Sequence, residues 1–404
     1  MKKHGSIVFT SFLGALSAIA PLSIDMGLPG IPAIEATFGD AGNRGSMTLS
    51  LFLVGFSAAP LFIGPLSDRF GRRMSLIAGL SFFSGAALCS AFAPTFTTLL
   101  IARFVQGAAG GAIATLPVVM VRDVLEGPSA RAKLSQIVAI LGIAPSAAPL
   151  IGAAILAIGS WRSIYLAQAL VGVLELSVAA TWLAETHPRE RRRSLDIRVL
   201  LDGYGTILSD AGFTRYGLVY TFSFTCMFSY ISTSPAVFMS TFALSDRGFS
   251  VLFSITSAGI MAGAMLSARL SRRFHKPEAV VTAGLGCMVA STIALVAIAA
   301  LGLSSAYGIA ALATVVMLAF GTIAGPCNHA ALSELGHVAG SAARLMRRFQ
   351  MLSAGIASAL GATLAANIDH VYVMVGLMLG AAMLAGLFFV VPVRPRRRQE
   401  RMRS

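Results

Sequence analysis

The chain has 404 residues, of which 56% are hydrophobic and only 12% charged, with a mean hydropathy of +0.79 and a formal net charge of +14. A composition this apolar lies outside the range of soluble globular domains and places the chain in lipid. The basic surplus sits between apolar runs, so it calls for no nucleic-acid partner.

Apolar runs at 6–27, 46–67, 74–93, 96–121, 134–157, 161–183, 213–243, 249–268, 278–301, 304–327, 349–366 and 371–392 predict twelve spans. Most reach the ~20 residues that a helix rising 1.5 Å per residue needs to cross ~30 Å of hydrocarbon. Alternating barrel patterning is absent, and lipid leaves no backbone group unpaired, so each run is read as a helix. The first run follows Lys2 and Lys3 and contains Ala18-Ile19-Ala20, which has the look of a signal peptide and its cleavage site. Pro21 directly after that site, and eleven further runs, favour a first span.

The expected fold class is an all-α polytopic membrane protein of twelve transmembrane helices in two six-helix halves. The N-terminal half is 1–184 and the C-terminal half 213–393. Between them, 185–212 forms a cytoplasmic linker that starts with "ETHPRERRRSLDIRVLLDG", and 394–404 is a basic tail. The halves echo each other: "LSDRFGRRM" from Leu66 follows the second run, and "LSARLSRRF" from Leu266 follows the eighth. Parallel halves that rock about a midplane site describe a secondary transporter better than a channel or receptor.

Charge sets the expected orientation. With the N-terminus inside, every lysine and arginine is cytoplasmic except Arg44, Arg162 and Arg247 outside and Arg103 in the membrane. That asymmetry satisfies the positive-inside rule, with both termini cytoplasmic and the Glu35 to Arg44 loop external. The Arg-rich tail suits anionic lipid headgroups, and Arg344, Arg347 and Arg348 are read as headgroup anchors.

The ionisable residues within the runs are Asp25, Arg103 and Glu175. A mid-bilayer charge costs about 2.5 kcal/mol or more, so each is a functional candidate. Asp25 closes the first run in "PLSIDMGLPGIP", and Arg103 lies at comparable depth on an antiparallel span, so the two are expected to interact across one cavity. A carboxyl whose exposure and distance to an arginine change as the halves rock takes up and releases protons. Two blander readings stay open: Asp25 caps or kinks the helix beside Pro29 and Pro32, and Arg103 ties helices through backbone carbonyls. Glu175 either takes part in coupling or hydrogen-bonds to a neighbouring helix.

The seventh run offers Phe222, Phe224, Met227, Phe228 and Tyr230, a soft aromatic and thioether surface suited to varied cargo. Cys89, Cys226, Cys287 and Cys327 share no ligand spacing and are read as small packing residues. The six histidines lie at or beyond the run ends. Neither an enzyme nor a metal or other cofactor is expected.

Several motifs give the reading a family. "GPLSDRFGRR", Gly64 to Arg73, resembles the loop signature of the major facilitator superfamily. In it Gly64 allows close helix approach, Gly71 a tight turn, and Asp68 pairs with arginines or caps a helix. The resemblance implies that Gly64, Asp68, Arg69, Gly71, Arg72 and Arg73 form an inner-gate latch. In the second copy Ala268 replaces Asp68 and Ser271 replaces Gly71, which makes the latch asymmetric. "RFVQGAAGG" from Arg103 is similar to the fourth-helix signature of proton-coupled members. "PSAAPLIGA", with Pro145, Pro149 and Gly152, partly resembles the fifth-helix motif of exporters, with Ala148 where many carry glycine.

"SIDMGLPGIP" and "YISTSPAVF" resemble the first and seventh helices of the Bcr/CflA group of drug-resistance exporters, with Gly27 where that group usually has tyrosine. The resemblance implies proton-driven efflux of small amphiphilic or phenicol-like antimicrobials across a bacterial inner membrane by a monomer. The in-span ionisable residues Asp25, Arg103 and Glu175 are the candidates for proton coupling, Glu175 the weakest of them because the resemblance implies a sixth helix peripheral to the cavity. The implied substrate cavity is lined by Asp25, Met26, Arg103, Gln106, Phe224, Met227, Phe228 and Tyr230. The alternatives are a proton-coupled transporter of a sugar or nucleoside, and a receptor or scaffold that has lost transport.

Overall fold

The computed structural model describes residues 7–39, 44–187, 204–274, 277–336 and 338–391. The tail 394–404, residues 188–203 of the linker and the tip of the Glu35 to Arg44 loop lie outside the described residues. Among the described residues all regular structure is helical. A helix occupies every apolar run: Ile7–Asp25, Met47–Ala58 with Pro60–Phe70, Arg72–Ala91, Phe96–Val124, Gly127–Ile158, Trp161–Thr181, Ala211–Pro235, Asp246–Arg273, Pro277–Ala300, Ala306–Leu332, Ala339–Leu364 and His370–Val390. They are called the first to twelfth spans below.

Nine are long and apolar enough to cross a membrane on those grounds alone, among the described residues. The second span is divided at Ala59, the seventh is interspersed with serine and threonine, and the eleventh carries three arginines in its first half. Proline explains the division, because Pro60 has no N–H for the preceding turn. The same logic shapes the end of the first span. Its helix stops at Asp25, a short turn follows at Leu28–Gly30, and a second helix runs over Ile31–Thr37, with Pro29 and Pro32 in their opening turns. Several helices outrun the apolar runs that predicted them. The fifth begins at Gly127 and the eleventh at Ala339, since polar residues at a membrane surface extend a helix without adding to its hydropathy.

Small residues bring backbones together. A Cβ at Gly107 would overlap the Phe52 carbonyl oxygen, and one at Gly55 the Phe104 carbonyl oxygen, so the second and fourth spans touch backbone to backbone. The eighth and tenth spans repeat the device: Gly263 lies against the Leu318 carbonyl and Gly321 against the Ile260 carbonyl. Dispersion and packing hold helices together in lipid, where burial supplies little drive. Gly107→Ala is therefore expected to force the second and fourth spans apart and cost about 1–3 kcal/mol, as overpacking does. Detergent melting temperature measures it. Gly85→Ala is the matched control, because its Cβ would meet nothing within 4 Å; equal melting of the two variants would refute the close-packing account.

The chain divides into two compact units. One comprises the described residues of Met1–Leu195, Ser232–Ile255 and Gly355–His370; the other, those of Asp196–Ile231, Thr256–Ala354 and Val371–Ser404. In the first unit, Phe9, Leu13, Leu80, Phe83, Ile113 and Met120 anchor a core shared by the first, third and fourth spans. Ser50 on the second span donates to the Ser358 hydroxyl at 2.8 Å, and Ser254 to the Ser146 carbonyl at 2.7 Å. Large apolar side chains such as Phe82, Ile101 and Leu170 remain exposed, as expected of an integral membrane protein whose solvent is hydrocarbon.

Candidate functional site

Asp25 is the last residue of the first helix and is buried at 4% exposure. Its Oδ1 has no hydrogen-bond partner. The chain just beyond it meets the fifth span closely. A Cβ at Gly152 would overlap the Met26 carbonyl oxygen, and the Met26 side chain packs with Ala148 and Ile164. Gly152 thus follows Pro145 and Pro149 at the point where the fifth span passes the end of the first.

Arg103 is almost wholly buried on the fourth span. Its Nη2 donates to the Ser23 carbonyl at 3.2 Å, Nη1 to Gln106 Oε1 at 2.7 Å, and Nε to the Thr48 carbonyl at 3.4 Å. Gln106 passes the chain on to Gln168 at 2.8 Å. The guanidinium also lies over the rings of Phe52, at 4.4 Å, and Tyr165, at 5.3 Å. Four spans, the first, second, fourth and sixth, meet at this one side chain.

The expected pairing of Asp25 with Arg103 is not present: no ion pair joins them. Arg103 instead reaches the carbonyl two residues upstream of Asp25. The reason is geometric, because a planar fork with several donors is satisfied best by acceptors on several helices. This is the helix-tying arrangement that the sequence left open. Hydrogen bonds from a charged donor contribute about 1.5–3 kcal/mol each, and a desolvated cation–π contact about 2 kcal/mol. An ammonium in place of the guanidinium would keep only part of that set. Arg103→Lys is expected to lower both the detergent melting temperature and the yield of folded protein; normal melting with lost proton dependence would return Arg103 to the coupling role.

Glu175 on the sixth span is buried, and its Oε2 has no hydrogen-bond partner. It is not part of the Arg103 network. One turn before it, Gly172 packs against Ser84 and Phe83 of the third span.

The loop motif forms a second constellation. Gly71 takes φ 96°, a backbone region that side chains with a Cβ rarely adopt. Asp68 pairs with Arg72, whose Nε also reaches Asp123 Oδ2 at 3.1 Å. Of the two roles expected for Asp68, pairing with an arginine is the one observed, and it does not cap the third span. Glu185 does it, accepting from the Arg72 and Arg73 backbone N–H groups at 2.8 and 3.3 Å. Arg73 donates to the carbonyls of Ala179 and Ala180, and Arg69 lies over Phe70. Gly64 sits within the helix that leads into the turn. Sequence reasoning missed Asp123 and Glu185; each follows a run by only a few residues and reads as an ordinary membrane-edge acid.

Residues 13–358 match the family model of the Major Facilitator Superfamily. The chain belongs to this superfamily. It is 31% identical over 356 residues to the uncharacterized MFS-type transporter YdgK of Bacillus subtilis (strain 168), covering 86% of this chain and 87% of that one. It is 26% identical over 383 residues to the multidrug resistance protein MdtL of Escherichia coli O9:H4 (strain HS), covering 94% and 95%. Among solved structures it is similar to a D-xylose-proton symporter, with a TM-score of 0.70 and 18% identity over 96% of this chain and 99% of that one. As a member of the superfamily the chain is a transporter of small molecules, not an enzyme.

The superfamily's seventh span is here an aromatic ladder. Phe224 stacks on Phe228 at 5.8 Å and meets Phe320 of the tenth span edge-on at 5.9 Å. Met227, Phe228 and Tyr230 are buried, whereas Phe222 turns aside to stack on Phe388 of the twelfth span. The headgroup-anchor reading fails for Arg348, which is 7% exposed. It donates to the Tyr204 hydroxyl at 3.1 Å, because it lies on the helix face that packs inward rather than at the rim. The packing reading fails for Cys89, which is exposed on the third span, while Cys226 and Cys327 are buried.

Proposed function

We propose that the chain is a Bcr/CflA-type drug:proton antiporter, exporting small amphiphilic antimicrobials from a bacterial cell by alternating access. The observation that carries this reading is Asp25: a buried carboxyl with an unpartnered oxygen, at the joint between the first and fifth spans, while Arg103 is spent on the carbonyl two residues upstream. A carboxylate held that way answers to changes in solvent access, which is the property a proton carrier needs. The likeness to MdtL over nearly the whole chain supports a drug as cargo, and the proline pair with Gly152 supports export. The six-span halves move as the rocking bodies, with the 185–212 linker and both termini on the cytoplasmic side. The Asp68–Arg72–Asp123 cluster, with Glu185 on the helix end, holds the second, third, fourth and sixth spans together while they move. The protein works as a monomer.

The test compares antimicrobial susceptibilities of a host with and without expression, and measures proton release from energised inverted vesicles when a drug is added. Raised tolerance with drug-dependent proton movement is expected. Proton-coupled flux of a sugar or nucleoside with unchanged susceptibilities would favour the metabolite reading instead.

A further inference from the structure

The second unit contains a polar and aromatic wall that the proton chemistry of Asp25 does not use. Tyr220 on the seventh span stacks on Phe320 at 6.0 Å and 21°, and Phe224 meets Phe320 edge-on at 5.9 Å. On the eleventh span, Ser353 accepts from the Thr225 hydroxyl at 2.7 Å and so fixes the two helices side by side. One turn earlier sits Gln350, 5% exposed, whose Nε2 carries two N–H groups and has at most the Tyr220 hydroxyl as a partner. One turn earlier again, on the same face, Arg347 is exposed and close enough to Tyr220 to act on it electrostatically. Residues three apart lie one above the other on a helix. The wall therefore presents ring faces, then amide and hydroxyl donors, then a guanidinium, in order along the span.

What this wall lacks is as telling. Among the described residues, the interiors of the second unit's spans hold no aspartate or glutamate. Glu278 stands in the first turn of the ninth span and accepts from the Tyr216 hydroxyl at 2.9 Å, and Asp210 caps the start of the seventh. A cationic cargo at this wall would find no carboxylate within the described span interiors of this unit, whereas an anion meets an arginine and an amide N–H.

We propose that this wall selects cargo, and that the cargo is an aromatic amphiphile bearing a carboxylate. Its ring lies against Tyr220, Phe224 and Phe320, and its anionic oxygens take the Gln350 amide and the Arg347 guanidinium, whose fork suits a carboxylate. The proposal rests on the export reading for its direction of transport but not for its chemistry.

Equilibrium binding to the full chain in nanodiscs, with three probes that share one ring, tests it: 1-naphthylacetate, 1-naphthylacetamide and 1-naphthylmethyl-trimethylammonium. The acetate is expected to bind about tenfold more tightly than the amide, the order of one charge-assisted hydrogen bond, and the ammonium least. Arg347→Gln brings the acetate to the level of the amide, and Arg347→Lys restores part of the difference. Gln350→Leu weakens the acetate and the amide alike. Equal or tighter binding of the ammonium, an acetate affinity unchanged in Arg347→Gln, or no measurable binding of any probe overturns the proposal. A host whose susceptibilities do not change on expression, with an acetate preference that depends on Arg347, would defeat the drug-export reading and leave this one standing.

Discussion

Asp25→Asn is expected to abolish uphill export driven by a proton gradient while leaving membrane insertion and folded yield intact. The amide is nearly isosteric with the carboxyl, and the side chain it replaces makes no ion pair with Arg103, so little structural support is lost. What goes is the group that can gain and lose a proton. Downhill exchange of cargo should survive, because the aromatic wall of the seventh span is untouched. Asp25→Glu keeps the titrating group but pushes it one methylene further in a joint where the Met26 carbonyl already lies against Gly152, so partial activity is expected. Transport assays in proteoliposomes, with and without an imposed pH gradient, separate these outcomes. Full uphill export by the Asn variant would remove Asp25 from the coupling role and make Glu175, the other buried acid with an unpartnered oxygen among the described residues, the residue to test next.

The twelve spans were legible because each apolar run is a direct physical statement about lipid: a run of about 20 residues with no charge has no other comfortable place. Helix ends were less legible. At Gly127 and Ala339 the helix continues into polar sequence, where hydropathy carries no signal. Asp25 and Arg103 stood out because a charge inside such a run is costly, but their relation did not. Sequence gives depth along a helix, whereas the partner of a guanidinium depends on which acceptors surround it after packing. Ser23, Thr48 and Gln106 won that competition through two backbone carbonyls and a side-chain amide, and a carbonyl leaves no mark in a sequence. Glu185 was hidden for a similar reason. It lies 113 positions from Arg72, and only the fold reveals that its carboxylate closes the helix opened by Gly71. Arg348 shows the reverse error, a basic residue near a span end that is buried by the helix face on which it happens to lie.

A disulfide between Ser50→Cys and Ser358→Cys is expected to stop transport, and its reduction to restore it. The two hydroxyls are 2.8 Å apart, Ser358 lies near the Ser46 carbonyl at 3.4 Å, and a Cβ at Gly355 would touch the Leu53 side chain at 3.3 Å. These contacts join the second span to the C-terminal half of the eleventh within one compact unit, and the Ser254 to Ser146 hydrogen bond joins the eighth to the fifth in the same way. Hydroxyl contacts contribute only about 0.5–1.5 kcal/mol each, weak enough for such a seam to part and re-form in the proposed alternating-access cycle. A disulfide, whose sulfurs are held about 2.05 Å apart, ties the same two positions but cannot part. Each single cysteine should transport normally, since serine and cysteine differ little in size. The exposed Cys89 is replaced by serine beforehand so that it cannot compete for the new thiols. Oxidation of the double variant should then bring export to background, with dithiothreitol restoring it in the same vesicles. Undiminished export by fully cross-linked protein would mean that the seam stays shut throughout the cycle, and that cargo leaves by a route that never separates the second and eleventh spans.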